Sequence, residues 1–211
     1  MKIAIIGANG KSGSLIAQEA KARGHEVTAI VRDASKISGL PVVEKDAFAL
    51  TATDLQPFYV VVNAIGLWSP GEEPRHIELA QVLVEALRQA PNTRLIVVGG
   101  AGSLFVDEAK TKLLCETPEF PPQYYPTASN MARSLAVYEQ SSGAKWTYVS
   151  PSAMFAPGKR TGAYRKGKDH LLVNAKGDSY ISYEDYAIAI VDEIEQALHV
   201  NERFTVVAEA E

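Results

Sequence analysis

Short apolar runs alternate with amphipathic stretches along most of the chain of 211 residues. The runs have the length of strands buried on both faces of a parallel sheet. They lie at 3–6, 27–31, 58–65, 95–98 and 146–149, with a shorter one opened by Pro41-Val42-Val43. Between them, apolar residues recur at helical spacing and predict helices at about 75–89 and 127–140. This alternation predicts an α/β fold with a doubly wound parallel sheet and right-handed crossovers.

The last part of the chain breaks this alternation. Residues 159–181 predict an irregular or hairpin segment with a turn at 174–178. We expect 152–182 to form part of a small substrate-side lobe within a single domain spanning 1–211. Ser182 is the predicted cap of a further helix, with Asp185 completing a capping-box-like pair. Its expected apolar face comprises Ala187, Ile190, Val191, Ile194 and Leu198, and a last strand follows at Phe204 to Val207.

The first strand runs directly into a glycine-rich turn, Gly7-Ala-Asn-Gly10-Lys-Ser-Gly13, and a helix starts there. Gly7 lets the chain leave the strand, Gly10 lets the backbone approach a pyrophosphate, and Gly13 lets the helix pack closely on the sheet. The free N–H groups and the dipole of the helix N-terminus favour phosphate. The turn therefore predicts a dinucleotide site that also includes Asn9, Lys11 and Ser12.

The second strand ends at Arg32-Asp33, where dinucleotide-binding folds contact the adenosine ribose. An acidic residue there would accept from the 2′-hydroxyl group, whereas an arginine favours a 2′-phosphate. Arg32, with Lys36 as a helper, thus favours NADP as the cofactor. Because Asp33 is the next residue, NAD stays open as the alternative, as does a purely surface role for Arg32.

Composition narrows the function classes. The chain is 46% hydrophobic and carries a net charge of −4, which favours one globular domain and argues against general nucleic-acid binding. Cys115 is the single cysteine and is typical of a reduced, cytoplasmic protein. With strand-forming residues from Lys2 onwards and no long apolar run, we expect neither a signal peptide nor a membrane segment. The four histidines lie far apart, so we expect no metal site.

Four features together resemble the short-chain dehydrogenase/reductase superfamily: the glycine spacing, Asp46 after the third strand, Asn63-Ala64 ending the fourth, and Pro151 after the sixth. The similarity is greatest to its atypical, NmrA-like branch, which includes NAD(P)H-flavin reductases, through the segments 95–103, 146–151 and 181–187. This resemblance implies a Rossmann fold. It also implies that Asp46 lies near the adenine, and that the strand ends at Asn63, Ala64, Gly99 and Pro151 contribute to the cofactor site.

The chain departs from the superfamily at its catalytic motif. Dehydrogenases of the superfamily use a Tyr-x-x-x-Lys pair, whereas here Tyr125 is followed by Ser129 at the lysine position. Ser129 offers no cation to lower the pKa of a tyrosine hydroxyl, so Tyr125 is a weak candidate acid. Ser103 matches the serine that the superfamily places after the fifth strand. Ser103 and Tyr125 remain the candidate catalytic residues, although carbonyl chemistry is not favoured.

Aromatic residues are the candidates for contacting a substrate. Trp68 lies in a loop leaving the fourth strand, where ligands of such sheets bind, and could stack on a flavin or quinone. Tyr124 could wall the same cleft; both residues could equally serve to brace their loops. The basic segment 159–168 could clamp the phosphate of an FMN-like acceptor or touch nucleic acid, and we favour a solvated hairpin over both.

These observations favour a reductase that transfers a hydride from NAD(P)H to a small flat acceptor such as a quinone or flavin, with FMN or FAD as possible substrates. Such an acceptor is already electron-poor, so orientation can replace a strong acid. The alternative is a non-catalytic NAD(P)-binding redox sensor of the NmrA-like type. An epimerase or dehydratase is disfavoured by the missing lysine and the short C-terminal portion. A homodimer remains possible.

Overall fold

A computed structural model describes residues 1–209, which contain ten strands and five α-helices. The strands are β1 (Lys2–Ile6), β2 (Glu26–Val31), β3 (Val42–Glu44), β4 (Val60–Asn63), β5 (Arg94–Val98), β6 (Lys145–Ser150), β7 (Met154–Ala156), β8 (Tyr164–Gly167), β9 (Tyr180–Ser182) and β10 (Glu202–Ala208). The helices are α1 (Lys11–Ala22), α2 (Ala52–Leu55), α3 (Arg75–Arg88), α4 (Tyr125–Glu139) and α5 (Tyr183–Gln196).

Eight strands form one sheet in the order β3-β2-β1-β4-β5-β6-β10-β8, in which every neighbouring pair except β10–β8 is parallel. The chain winds outward from β1 to β3 and then, after a reversal, from β4 to β10. This is the doubly wound Rossmann arrangement, which confirms the predicted fold class. The reversal places a cleft between the carboxyl ends of β1 and β4, where ligands of such sheets bind.

Alternating side chains of the central strands fill two cores. Ile3 and Ile5 face a core built with α1 and α5, whereas Ala4 and Ile6 face a core built with α3 and the buried end of α4. All four side chains are almost completely buried. Because both faces of β1 are covered, its sequence is apolar throughout, as expected for a central parallel strand.

For 159–181 the sequence predicts an irregular segment or a hairpin, and of these two the hairpin is wrong. Residues 164–167 (β8) pair antiparallel with β10 and extend the main sheet, while β7 and β9 pair in parallel as a separate two-stranded sheet. Pairing with distant strands satisfies the backbone groups that a local hairpin would have used. The turn at 174–178 is confirmed, because the Asn174 N–H donates to the Asp178 carbonyl oxygen (2.9 Å). The substrate-side role of 152–182 stays a prediction.

The basic residues in this segment do not act as one cluster. The Arg160 guanidinium donates to the Glu19 carboxylate (3.0 Å), Arg165 pairs with Glu209 (2.7 Å), and the Lys166 ammonium lies over the Phe204 ring. Each of these cations is thus engaged at a different place on the domain. Their arrangement favours neither a phosphate clamp nor a nucleic-acid surface.

Helix α5 begins as predicted and ends earlier. The Asp185 N–H donates to the Ser182 hydroxyl (2.9 Å), which confirms the cap. The Asp185 carboxylate, however, accepts from the Thr161 and Gly162 N–H groups and does not complete a capping box. The helix stops at Gln196 because Ala197 is left-handed (φ 52°), so Leu198 is exposed and is not on its apolar face.

A buried ion pair closes the amino edge of the sheet. Arg94, the first residue of β5, donates to the Glu193 carboxylate of α5 (2.9 Å), and both side chains are buried. The same carboxylate accepts from the His199 backbone N–H (3.0 Å) and contacts the His199 ring nitrogen Nδ1 (2.7 Å). The Arg94 guanidinium also donates to the Glu193 carbonyl oxygen (2.6 Å). The pair therefore joins the end of α5 to the sheet.

We expect Glu193→Gln to destabilise the protein by about 3–5 kcal/mol, because it leaves the Arg94 cation buried without a charged partner. The matched control is Glu85→Gln, which removes an exposed carboxylate that pairs with Arg88 and should cost less than about 1 kcal/mol. Urea unfolding of both variants measures the two losses. Equal losses would show that the buried pair has no special role.

Candidate functional site

The glycine turn lies at the carboxyl edge of the sheet, anchored to the neighbouring strands. Gly7 has a φ of +79°, which glycine adopts without strain, and its N–H donates to the Ile30 carbonyl oxygen at the end of β2 (3.1 Å). The Gly10 N–H donates to the Gly7 carbonyl oxygen (2.9 Å). On the other side, the Ala64 N–H donates to the Ile6 carbonyl oxygen (3.0 Å). These bonds fix the turn between β2 and β4.

The glycines at positions 10 and 13 are required for different reasons. A Cβ on Gly13 would overlap the Gly7 carbonyl oxygen, so only glycine allows α1 to stand this close to the turn. A Cβ on Gly10 would lie 3.2 Å from the same oxygen, a tight but adjustable contact. Gly10 has a φ of −77°, which any residue adopts. Gly13 is therefore required for packing, whereas Gly10 leaves a surface without a side chain that a ligand can approach.

The N-terminus of α1 suits an anion. Its cap residue Gly10 makes no side-chain hydrogen bond to the helix, and the first turn contains no acidic residue. The first N–H groups of a helix have no partner within it. In α1, the first N–H group with such a partner is that of Ser14, which donates to the Gly10 carbonyl oxygen (2.9 Å). In contrast, α5 carries Glu184 and Asp185 in its first turn. The residues present thus fit the pyrophosphate of a dinucleotide.

Arg32 and Asp33, at the end of β2, differ in whether their side chains are already bonded within the protein. The Asp33 carboxylate accepts from the Ser35 hydroxyl (2.6 Å) and the Ser35 N–H (3.1 Å), and lies 3.5 Å from the Lys36 ammonium. Hydrogen bonds from Ser35 hold the pKa of Asp33 below its usual value. Arg32 is exposed, and within residues 1–209 its side chain has no hydrogen bond or ion pair. The arginine is therefore the residue free to contact a ligand.

Asp46 lies on the same edge, after β3. It is exposed, and its carboxylate accepts from the Phe48 N–H (2.9 Å), which caps a short 3-10 turn at Ala47–Ala49. This bond gives the loop a defined shape next to Arg32's strand. A role of Asp46 at the adenine stays a prediction.

Three buried tyrosines support the strand ends on the other half of the cleft. The Tyr148 hydroxyl accepts from the Gly100 N–H (3.3 Å), the Tyr186 hydroxyl donates to the Val149 carbonyl oxygen (2.6 Å), and the Tyr138 ring lies 6.3 Å from the Tyr148 ring. Burial raises the pKa of all three, that of Tyr148 to about 12, so they stay neutral. These rings fix the position of the strand ends.

Gly99, Ala64 and Pro151 are brought to this half of the cleft as expected for strand-end residues. A side chain on Gly99 would overlap the Tyr148 ring, so the glycine is required by packing. Ala64 lies against both Gly7 and Gly13. Pro151 is buried after β6, next to Ser152, whose hydroxyl donates to the Val206 carbonyl oxygen (2.7 Å). Their contacts with a cofactor stay predictions.

The Ser103 side chain is bonded within the protein, and its catalytic role stays a prediction. The residue is buried, and its hydroxyl donates to the Gly100 carbonyl oxygen (3.4 Å). Arg203 on β10 donates to both the carbonyl oxygen (2.7 Å) and the hydroxyl oxygen (3.2 Å) of Ser103, and Arg203 is itself held by Asp169. This position makes Ser103 an anchor between the loop after β5 and the edge of the sheet.

Tyr125 is exposed at the first position of α4. The Ser129 hydroxyl donates to the Pro126 carbonyl oxygen of its own helix (3.2 Å), and the Asn130 amide donates to the same oxygen (2.8 Å). Within residues 1–209, no cation is bonded to the Tyr125 hydroxyl. The structure therefore brings Tyr125 to the edge of the cleft without the partner that would make it a strong acid.

Trp68 and Tyr124 meet at the rim of the cleft. Their rings lie 6.4 Å apart at 84°, an edge-to-face contact, and the residues are 63% and 51% exposed. The Leu67 N–H, just before the tryptophan, donates to Nε2 of the buried His76 (3.3 Å). From the sequence we assign His76 no role beyond excluding a metal site. Its place in the first turn of a helix that follows the Trp68 loop is the signal that could have indicated this contact.

The fold and this edge together define a dinucleotide-binding protein of the Rossmann class. Residues 7–197 match the model of a protein family described as NAD(P)H-binding. The YwnB protein of Bacillus subtilis (strain 168), described as uncharacterized, is 60% identical over 214 positions, with all of both chains covered. The chain belongs to this NAD(P)H-binding family.

Two solved structures resemble the chain over its whole length. A candidate NADH-flavin reductase from Streptococcus pneumoniae TIGR4 has a TM-score of 0.95 at 42% identity, with 99% of this chain and 100% of that chain covered. A candidate epimerase from Bacteroides thetaiotaomicron has a TM-score of 0.87 at 34% identity, with 100% of this chain and 98% of that chain covered. The names of these relatives include two reaction classes.

None of the helices in residues 1–209 is long and apolar enough to cross a membrane. Over the same range, no group of three or more His, Cys, Asp or Glu residues could hold a metal ion. Burial raises the pKa of the Cys115 thiol, so it is poorly suited to act as a nucleophile.

We expect Gly10→Val to abolish NADPH binding while the fold is kept, because the new side chain occupies the surface that the phosphates approach. Isothermal titration calorimetry measures the affinity, and circular dichroism the fold. The comparison variant is Gly13→Ala, in which the overlap with Gly7 should destabilise the protein itself. Unchanged affinity in a folded Gly10→Val protein would contradict the assignment of the turn.

Proposed function

We propose that this protein is a reductase that uses NADPH to reduce a flat, electron-poor acceptor, a flavin or a quinone. The observation that carries this proposal is the composition of the acceptor side of the cleft. It presents exposed aromatic rings, Trp68 and Tyr124, but the described residues give Tyr125 no cationic partner, and the Ser103 hydroxyl is bonded to Arg203. Such a site can stack and orient a ring better than it can protonate a carbonyl oxygen.

The residues of the chain have separate roles in this proposal. The glycine turn and the N-terminus of α1 bind the phosphates, and the tyrosine-supported ends of β4, β5 and β6 orient the nicotinamide half. The aromatic pair positions the acceptor and excludes water from one side of it. When bound, the reduced nicotinamide would supply the hydride. The name of the Streptococcus pneumoniae relative, a candidate NADH-flavin reductase, supports this class of acceptor.

The preference for NADPH rests on Arg32. Its guanidinium has no protein partner within the described residues, whereas Asp33, the group that would accept from a ribose hydroxyl, is held by Ser35 and Lys36. A guanidinium can bind the 2′-phosphate through charge-assisted hydrogen bonds. Lys36, which lies beside Asp33, adds positive charge on the same side.

We expect Arg32→Ala to weaken NADPH binding about tenfold to a hundredfold and NADH binding much less, because only NADPH carries the 2′-phosphate. Calorimetric titration with each nucleotide gives the two affinities. Arg88→Ala is the matched control, since this exposed arginine ends α3 at the amino edge of the sheet and should change neither. An equal loss for both nucleotides would show that Arg32 does not distinguish them.

The competing function is a redox sensor that binds NAD(P) without turnover, and the serine at position 129 favours it. Purified protein, NADPH and a panel of FMN, FAD, riboflavin and quinones separate the two, with oxidation followed at the nicotinamide absorbance. Turnover with a flavin or quinone supports the reductase. Tight NADPH binding without turnover on the panel contradicts it and favours the sensor.

Tyr125→Phe should keep reductase activity within about tenfold of the parent, which is less than the hundredfold or more that a general acid usually contributes. The reason is that no cation among residues 1–209 is bonded to the Tyr125 hydroxyl, and an electron-poor ring needs no phenolic proton. Steady-state kinetics with the best acceptor measures the change. A thousandfold loss of activity with unchanged NADPH affinity would show that Tyr125 is a proton donor. Carbonyl reduction would then be the favoured function.

A further inference from the structure

The backbone of Leu67, which precedes Trp68, is held from two sides. Its N–H donates to Nε2 of His76 in the first turn of α3 (3.3 Å), and its carbonyl oxygen accepts from the Thr127 hydroxyl in the first turn of α4 (3.4 Å). His76 and Thr127 are both buried. A loop residue whose two backbone polar groups are bonded to buried side chains has little freedom to move. The position from which Trp68 projects is therefore fixed by two helices.

His76 can hold this bond only as a neutral ring. Its Nε2 must keep a lone pair to accept the Leu67 N–H. Burial lowers the pKa of His76 to about 4. The imidazole is thus neutral around pH 7, the state that the hydrogen bond requires.

The indole of Trp68 is exposed although its backbone is fixed. Gly66 gives it room, because a side chain at that position would overlap the indole nitrogen. Tyr124, at the start of α4, contacts the ring edge to face and orients it further. Exposing a large apolar ring to water is unfavourable, and an exposed aromatic ring with an oriented neighbour is typical of a surface that binds a ligand. A preformed ring loses little conformational entropy when an acceptor stacks on it.

We propose that His76 is a positioning residue that fixes the Trp68–Tyr124 pair as a preformed aromatic wall for the acceptor ring. This inference rests on the proposed reductase function and deepens it, since it assigns acceptor recognition to stacking and gives the residue that maintains the wall. His76 acts through the Leu67 backbone and does not contact the acceptor itself. Thr127 supports the same backbone from the other helix.

The first experiment measures binding separately from turnover. Trp68 is exposed and Trp146 is buried, so acceptor stacking should quench the Trp68 emission selectively. We expect FMN or a water-soluble quinone, added to protein saturated with NADP⁺, to give a saturable quench that Trp68→Phe abolishes. A quench common to both acceptors identifies ring stacking, and one confined to FMN assigns recognition to the flavin. An equal saturable quench in Trp68→Phe would overturn the inference.

The second experiment tests His76 through kinetics. His76→Phe keeps an apolar ring but removes the acceptor nitrogen, and should raise the KM for the acceptor about tenfold, with kcat within about threefold and NADPH affinity unchanged. His76→Gln retains an acceptor atom at similar reach and should restore the KM. A folded His76→Phe protein with a parental KM would overturn the inference. Should this variant fail to fold, Thr127→Val tests the other bond with the same expected rise, and a parental KM there would equally overturn it.

The two proposals can fail separately. A Trp68-dependent quench with no turnover on any acceptor would contradict the reductase function and leave the aromatic wall as a binding site. Turnover without a Trp68-dependent quench would keep the reductase and contradict the wall. The fluorescence titration therefore tests the aromatic wall, the His76 kinetics test how it is positioned, and the turnover assay tests the function.

Discussion

The close approach of α1 to the turn after β1 is the constraint on which the functional edge depends. It exists because Gly13 has no side chain to overlap the Gly7 carbonyl oxygen and because Gly7 adopts a positive φ. If α1 stood further from the strand, its free N–H groups would no longer face the cleft between β1 and β4. Ala64 would also lose its contact with both glycines. A helix position set by one missing side chain thus couples the sheet to its ligand site.

Features encoded by neighbouring residues could be predicted from the sequence, whereas features made by distant partners could not. The glycine turn, the parallel strands and the Ser182 cap each depend on a few adjacent residues. The pairing of β8 with β10 joins segments far apart in the chain, and the partner that engages Ser103 is Arg203, 100 residues away. Hydrophobic pattern cannot reveal such pairings, because it records which residues are buried and not what they meet.

The two edges of the sheet have different roles, one in stability and the other in binding. At the amino edge, the Glu193 carboxylate is bonded to both Arg94 and His199, so these buried polar groups are satisfied within the protein. At the carboxyl edge the polar groups are left partly unmet: the first turn of α1 has no cap from a side chain, and Arg32 has no partner within the described residues. Polar groups that are hydrogen-bonded within the protein contribute rigidity. Polar groups without such partners are available to contribute affinity for a ligand.

On the proposed acceptor side of the cleft, the polar groups that are already bonded also limit which reaction the protein can support. Reducing a carbonyl places a growing negative charge on one oxygen, and a protein must answer it with a proton or a cation at that atom. In the loop after β5, the cation bonded to the Ser103 hydroxyl is Arg203, and it is also bonded to Asp169. An electron-poor ring spreads the incoming charge over its own atoms, so it asks the protein mainly for position. The fixed Leu67–Trp68 backbone and the buried tyrosines provide position, and this is the argument for proposing a flat ring as the acceptor.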